Sequence, residues 1–200
     1  MMKKLLAVTI GLTLCCGTAS AQDWLEALKK TATTAVDNVT GGKLTEMALY
    51  GTWTYARPSV RFEGTDLSGD LSGSLLEALL VDQLSKIYLK AGIEAGKGTV
   101  TFEKQNAAFT ASAGEHSVGG TYTFDSETHA ITFRFTRGET ELGSITSRAY
   151  LSGNELTIVF PVTRLVEMAR ELGNNIESLS TAAALLAQYE NAYIGFAFSK

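Results

Sequence analysis

A chain of 200 residues with a formal net charge of −4 is long enough to bury one substantial core. Its acidic balance argues against nucleic acid and against anionic lipid headgroups as partners. Solubility suffices to explain that acidity.

The first 21 residues have the layout of an export signal. Lys3 and Lys4 precede an apolar stretch from Leu5 to Cys16, and Ala19-Ser20-Ala21 puts small residues where a signal peptidase cuts. The stretch is 12 residues long, short of the roughly 20 needed to span a bilayer. Cys15 and Cys16 raise a lipid-modified alternative, but Leu14 is not the small residue expected before such a cysteine. Residues 1–21 are therefore expected to be cleaved as a signal peptide, leaving 22–200 as a single exported domain. Both cysteines leave with the signal, so the mature domain is expected to rest on its core without disulfides. Loss of Lys3 and Lys4 takes its charge to about −6.

Asp23 to Val39 read as an amphipathic helix with Trp24, Leu25, Leu28, Ala32, Val36 and Val39 on one stripe and Asp37 off it. Gly41-Gly42 stops it. The charge pattern fits a helix covering one end of the domain better than a membrane-surface helix, which would carry more Lys and Arg. From Gly51 the period changes to two: Trp53 and Tyr55 alternate with threonines, and Val60 and Phe62 follow a turn at Pro58. A polar, glycine-rich stretch from Gly64 leads to a second helix, with Ser74 and Glu77 spaced as a capping box. Leu75, Leu76, Leu79, Leu80, Leu84, Ile87, Tyr88 and Ala91 give it a broad apolar face expected to be well buried, and Gly92 ends it.

Strands follow at Thr99–Glu103, Ala108–Ala113, Ser117–Phe124, Ala130–Thr136, Glu141–Leu151 and Glu155–Phe160, with short polar turns between them. Those turns are too short for the crossovers that parallel pairing requires, so antiparallel pairing is close to forced. Pro161 suits a helix start, and Val162, Leu165, Val166, Ala169 and Leu172 recur at helical spacing. A second short helix carries Ile176, Leu179, Ala183 and Leu186. Ala192 to Ser199 return to strand alternation. The count is about nine strand-like segments, fewer if the chain runs straight through Pro58. A meander leaves two raw edges. A last strand that pairs with the first would close the sheet into an up-and-down barrel of about eight strands.

No set of acid, base and nucleophile converges, so no catalytic role and no cofactor are expected. Asp125, Glu127 and His129 are spaced like ligands on one strand face, but they fall in a hairpin turn where polar residues are usual. No metal is expected there. His116 lies at a loop edge without a distant partner, and no Gly-x-Ser-x-Gly elbow occurs. Asp66 and Asp70 lack the alternating acids of a calcium loop. Gly92, Gly96 and Gly98 follow a helix, the wrong side for an anion-binding terminus.

Gly51-Thr52-Trp53 is similar to the Gly-x-Trp signature of lipocalins and other calycins. Together with the signal peptide, the early helix, Pro58-x-Val60-x-Phe62, the inserted helix and Gly119-Gly120-Thr121-Tyr122, the chain resembles a family of secreted lipocalin-like bacterial proteins of about 200 residues. The resemblance implies a calycin-type barrel, with the tryptophan under its closed end and a basic side chain across it. It also points to the periplasm or outer membrane of a Gram-negative bacterium. It implies no particular activity. The second lipocalin signature, Thr-Asp-Tyr, is absent, and Thr123-Phe124-Asp125 is not its equivalent.

Within such a barrel the strand alternation turns Tyr55, Phe62, Phe102, Tyr122, Phe124, Phe133, Phe135, Phe160, Phe196 and Phe198 inward, and Tyr88 of the inserted helix joins them. Each of these side chains fits a packed core. Together they fit the wall of a site for an apolar or amphipathic small molecule. The inserted helix could plug that site. A monomer is expected, with no membrane association beyond the signal peptide. The alternative is an interaction module of the cell envelope, with a solid barrel and its function on the outer surface.

Overall fold

A computed structural model describes residues 30–37, 41–62, 71–90, 92–114, 116–137, 140–164 and 192–200. The expected signal peptide, the Trp24 end of the first helix, the polar stretch from Gly64 and the helices beyond Arg164 lie outside these residues.

Eight antiparallel strands close into a barrel in sequence order. They are β1 (Gly51–Phe62), β2 (Thr99–Phe102), β3 (Ala108–Ala113), β4 (His116–Asp125), β5 (Ala130–Arg137), β6 (Thr140–Ser152), β7 (Glu155–Pro161) and β8 (Ala192–Ser199). Four helical segments accompany them among the described residues: α1 (30–37), α2 (Lys43–Leu49), α3 (Leu71–Lys90) and a short turn over 162–164 that follows Pro161. Among the described residues no helix is long and apolar enough to cross a membrane.

Closure depends on β1 serving two neighbours. Gly51 to Thr54 pair with β2, and Thr54 to Phe62 pair with β8. Pro58 does not break the strand. The register shifts between Tyr55 and Arg57, and a bulge of this kind is where a sheet tolerates a residue without an N–H. The extra residue keeps the faces in step: Tyr55, Pro58, Val60 and Phe62 oppose Phe198, Phe196, Ile194 and Ala192. Outside this seam Glu155 binds Arg57 at 2.7 Å and Lys30 at 3.8 Å.

The turns β2–β3, β4–β5 and β6–β7 gather at one end, which α1 and α2 cover. The seven residues of α2 were not expected as a separate helix, being too few to show a period. Gly42, between α1 and α2, has φ 74° and sits so close to the Ser126 carbonyl of the β4–β5 turn that a Cβ would collide with it. The described part of α1 corrects the expected stripe: Ala32 and Val36 are exposed, and Asp37 is buried at 3% exposure. Hydrogen bonding overrides hydropathy there. Asp37 accepts from the Thr45 backbone N–H at 3.0 Å and from the Thr45 hydroxyl, and that hydroxyl accepts from Leu151 N–H at 3.1 Å. Thr45 thus ties both helices to β6.

The inserted helix α3 packs along β1. It starts at Leu71, a turn before the expected cap at Ser74. Gly92, at φ 79°, and Ile93 end it by donating to the Leu89 and Tyr88 carbonyls. Among the residues whose burial is described, Leu79 departs from the expected buried face and Ile87 is half-buried. Leu80, Leu84 and Tyr88 are buried on one i, i+4 line, while Leu79 and Leu89 are exposed at 66% and 61%. The helix sinks that line into the barrel's core cluster, and Leu79 and Leu89 on its other side stay exposed.

Candidate functional site

The barrel interior divides along its axis. At the covered end Trp53 is 1% exposed and donates from Nε1 to the Leu49 carbonyl at 2.9 Å. The basic side chain across it is Lys200, whose Nζ stands 4.3 Å from the ring centroid. The same ammonium donates to the Ala48 and Tyr50 carbonyls at 2.9 and 2.8 Å, filling acceptors left over at the end of α2. Phe102, Leu151, Leu156 and Ile131 pack beside the tryptophan as part of one core. Tyr122 meets Phe102 edge to face at 5.0 Å between centroids.

Above this floor an apolar cavity of about 310 Å³ runs toward the β3–β4 hairpin. Six of the aromatics expected in the interior line it: Tyr55, Phe133, Phe135, Phe160, Phe196 and Phe198. Phe109 completes the wall, 4.8 Å from Phe133 and 5.5 Å from Phe135 by ring centroids, both edge to face. Phe133 stacks toward Phe160 at 6.0 Å, and Phe160 meets Phe196 at 6.2 Å. The other five expected aromatics do not line the cavity. Phe102, Tyr122 and Phe124 sit at the covered end of the barrel. Phe62 belongs to the upper part of β1, and Tyr88 stacks behind Phe196 at 4.9 Å while donating to the Gly195 carbonyl at 3.3 Å.

Small residues make the void. Gly98, Ala111 and Ala113 line it, and Gly120 lies opposite Phe109 and Phe135 in register. A Cβ at Gly120 would collide with the Arg134 carbonyl, so that position admits nothing larger. Phe109, Ile93 and Val118 were absent from the sequence-derived site. Alternation along Ala108–Ala113 is the signal that finds Phe109, since it faces Phe102 in register. Nothing in the pattern marks Ile93, which reaches the cavity from the loop after α3.

Polar groups at the cavity are few. The Thr99 and Ser112 hydroxyls bond each other at 2.8 Å. His116 stands at the rim and is exposed. Tyr55, 4% exposed, makes no hydrogen bond through its hydroxyl among the described residues. Burial pushes the Tyr55 pKa up to about 12, with Arg57 pulling weakly the other way. Burial likewise raises Tyr122 to about 12 and raises Tyr88 further. All three stay neutral phenols in ordinary buffers.

The carboxylates and histidine of the β4–β5 turn do not converge. Asp125 accepts from Glu127 N–H at 3.0 Å and from the Thr128 hydroxyl at 2.8 Å, and the Thr128 bond chiefly holds its pKa low. His129 turns away, stacks on Tyr150 at 5.0 Å and lies 4.0 Å from Asp37. No group of three metal-ligating side chains occurs among the described residues.

A closed, eight-stranded antiparallel barrel with a Gly-x-Trp at its covered end and a cavity at the other is lipocalin-like in class. The chain belongs to the family described as lipocalin-like domain (DUF4923), whose model matches residues 25–200. A solved structure of a DUF4847 family protein from Bacteroides vulgatus ATCC 8482 is similar over 78% of this chain and 96% of that one, at 14% identity and a TM-score of 0.36. No curated protein matches the chain.

Proposed function

We propose that this protein is an exported, non-catalytic carrier or receptor for an apolar or amphipathic small molecule held in the barrel. The apolar cavity of about 310 Å³ carries the reading. It lies at the small end of ligand pockets, which run from about 300 to 1,000 Å³, and seven aromatic rings surround it. No described side chain of α3 lines the cavity, although Tyr88 packs its ring on Tyr55 and Phe196, two of the lining rings. Export through a cleaved signal, residence in the periplasm or at the outer membrane, and a monomeric state belong to the same proposal.

A solid interaction module draws less support. Its expected sign is a contiguous apolar surface patch. The exposed large apolar side chains described, Val36, Met47, Leu79, Leu89 and Val118, are spread over α1, α2, α3 and β4. Native mass spectrometry of the purified protein, after incubation with lipid extracts from an envelope fraction, separates the two. Retention of one small apolar species per chain supports the carrier. Protein that emerges empty from every extract contradicts it.

A further inference from the structure

A second cleft lies on the outer wall of the barrel and shares no lining residue with the apolar cavity. β6 pairs with β7 only from Arg148, opposite Val159, to Ser152, opposite Glu155. The residues of β6 before Arg148 pair with β5. Where β6 and β7 part, a cleft of about 600 Å³ opens, with Ser144, Thr146 and Arg148 on one side and Pro161, Arg164 and Tyr193 on the other. No acidic side chain lines it among the described residues. Alternation turns Thr146 and Arg148 outward, since Ile145 and Ala149 are buried in the core. Arg148 donates to the Thr128 carbonyl, which fixes one arm of a planar fork that has five donors in all. Arg164 enters from just beyond β7 and is exposed. Ser147, the first residue past the last β6–β7 pair, also lines the cleft, and its hydroxyl is buried without a hydrogen-bond partner among the described residues. A buried hydroxyl left unpaired is a standing cost that a bound oxygen can remove.

We propose that this cleft binds a compact oxyanion, a phosphate or sulfate group. Arg148 and Arg164 supply charge-assisted hydrogen bonds, and the Ser147 hydroxyl completes the set. Two guanidiniums in a wall without acids suit a group that carries close to two negative charges and several acceptor oxygens. The chain as a whole is acidic, at −4, so no long-range field draws an anion in, and recognition rests on these short contacts. Asp125 in the β4–β5 turn shares the field of Arg148, so a millimolar grip on the bare ion is expected. The inference concerns the outer wall and stands apart from the carrier reading.

Inorganic phosphate and sulfate, titrated at pH 7.5 into the isotope-labelled full chain against sodium chloride of equal ionic strength, test it by NMR. Both oxyanions are expected to shift the amides of residues 144–148 and of Tyr193 to saturation, and chloride is not. Arg164→Gln, at an exposed position, should weaken phosphate at least fivefold with an unchanged melting temperature, and Arg148→Gln should weaken it as much. Ser147→Ala should weaken it about threefold, as loss of one hydrogen bond requires. Lys86→Gln on α3 should leave it unchanged. Oxyanion shifts no larger than those from chloride, or an affinity indifferent to both arginine substitutions, overturn the proposal. Equal weakening by Lys86→Gln would show general charge screening and overturn it too. Full affinity in Ser147→Ala strikes the hydroxyl from the site. Flotation with phosphatidylcholine vesicles that carry phosphatidic acid separates the sources of the group. Vesicle binding that free phosphate displaces supports the site with a lipid headgroup in it, and phosphate binding without vesicle binding supports it with a soluble anion.

Discussion

The two ends of this barrel are built from the same alternating strands and differ in what the inward positions hold. At the covered end Trp53, Phe102, Leu151 and Leu156 meet with little exposure, and Thr45 and Lys200 satisfy the carbonyls and N–H groups where helices join the sheet. Toward the β3–β4 hairpin the inward positions include Gly98, Ala111, Ala113 and Gly120, and aromatic rings that touch one another also border a space. Closing a barrel therefore does not decide whether it is hollow. Side-chain size along its axis does. A stable floor lets the other end keep a void that a uniformly packed core would not hold.

Substitutions that exchange the character of the ends should separate stability from binding. The largest effect is expected from Trp53→Ala, which empties the floor and leaves the Leu49 carbonyl without its donor. Denaturant unfolding should show a loss of about 3–5 kcal/mol. An equal loss from Phe135→Ala at the cavity would mean that the two ends are packed alike.

Next comes one change made twice. Ala149→Phe forces a ring into a position with no exposed surface and should cost about 1–3 kcal/mol or more by overpacking. Ala111→Phe places the same ring in the cavity and should cost less than about 1 kcal/mol while abolishing ligand retention. Equal costs would contradict the division of the interior.

Thr45→Val keeps the shape but strips the hydroxyl that links Asp37 to Leu151. A loss of about 1–3 kcal/mol is expected from the buried groups it orphans. Protease resistance of the α1–α2 segment should fall with it, and unchanged ligand affinity would show that the floor acts through stability alone.

The smallest effect at neutral pH concerns the phenols. Tyrosine ordinarily ionises near pH 10, and Tyr55 and Tyr122 hold their protons to about 12 in the folded chain. The unfolded chain loses those protons first. Stability should therefore be flat up to about pH 10 and fall from there to about 12. Urea midpoints across that range should drop less steeply in Tyr55→Phe; identical slopes would show that Tyr55 is not buried as described.

Much of this was legible before coordinates. The β3 and β8 boundaries are those expected from alternation and turn residues; β2, β5 and β7 shift by a residue at one end, and β4 and β6 by a residue at both. The pairing of Ala192–Ser199 with β1 follows from the need to hide two edges. Local pattern fails where tertiary bonding decides. Asp37 looks like a solvated face until Thr45 is brought to it, and Pro58 looks like a turn until the bulge at Ala56 accommodates it. Lys200 as the cation over Trp53 depends on residues far apart in sequence. The cavity itself was the least legible feature, since Phe102 and Phe135 read alike in a strand. Only the size of their cross-strand neighbours separates floor from wall.

A crystal of the ligand-free protein pressurised with xenon gives the most direct view of whether that wall encloses empty space, because apolar voids stay dry and take up the gas. Xenon density is expected among Phe109, Phe135 and Phe160, with none beside Trp53. Rings or α3 side chains filling the upper barrel, with no xenon there, would contradict the account.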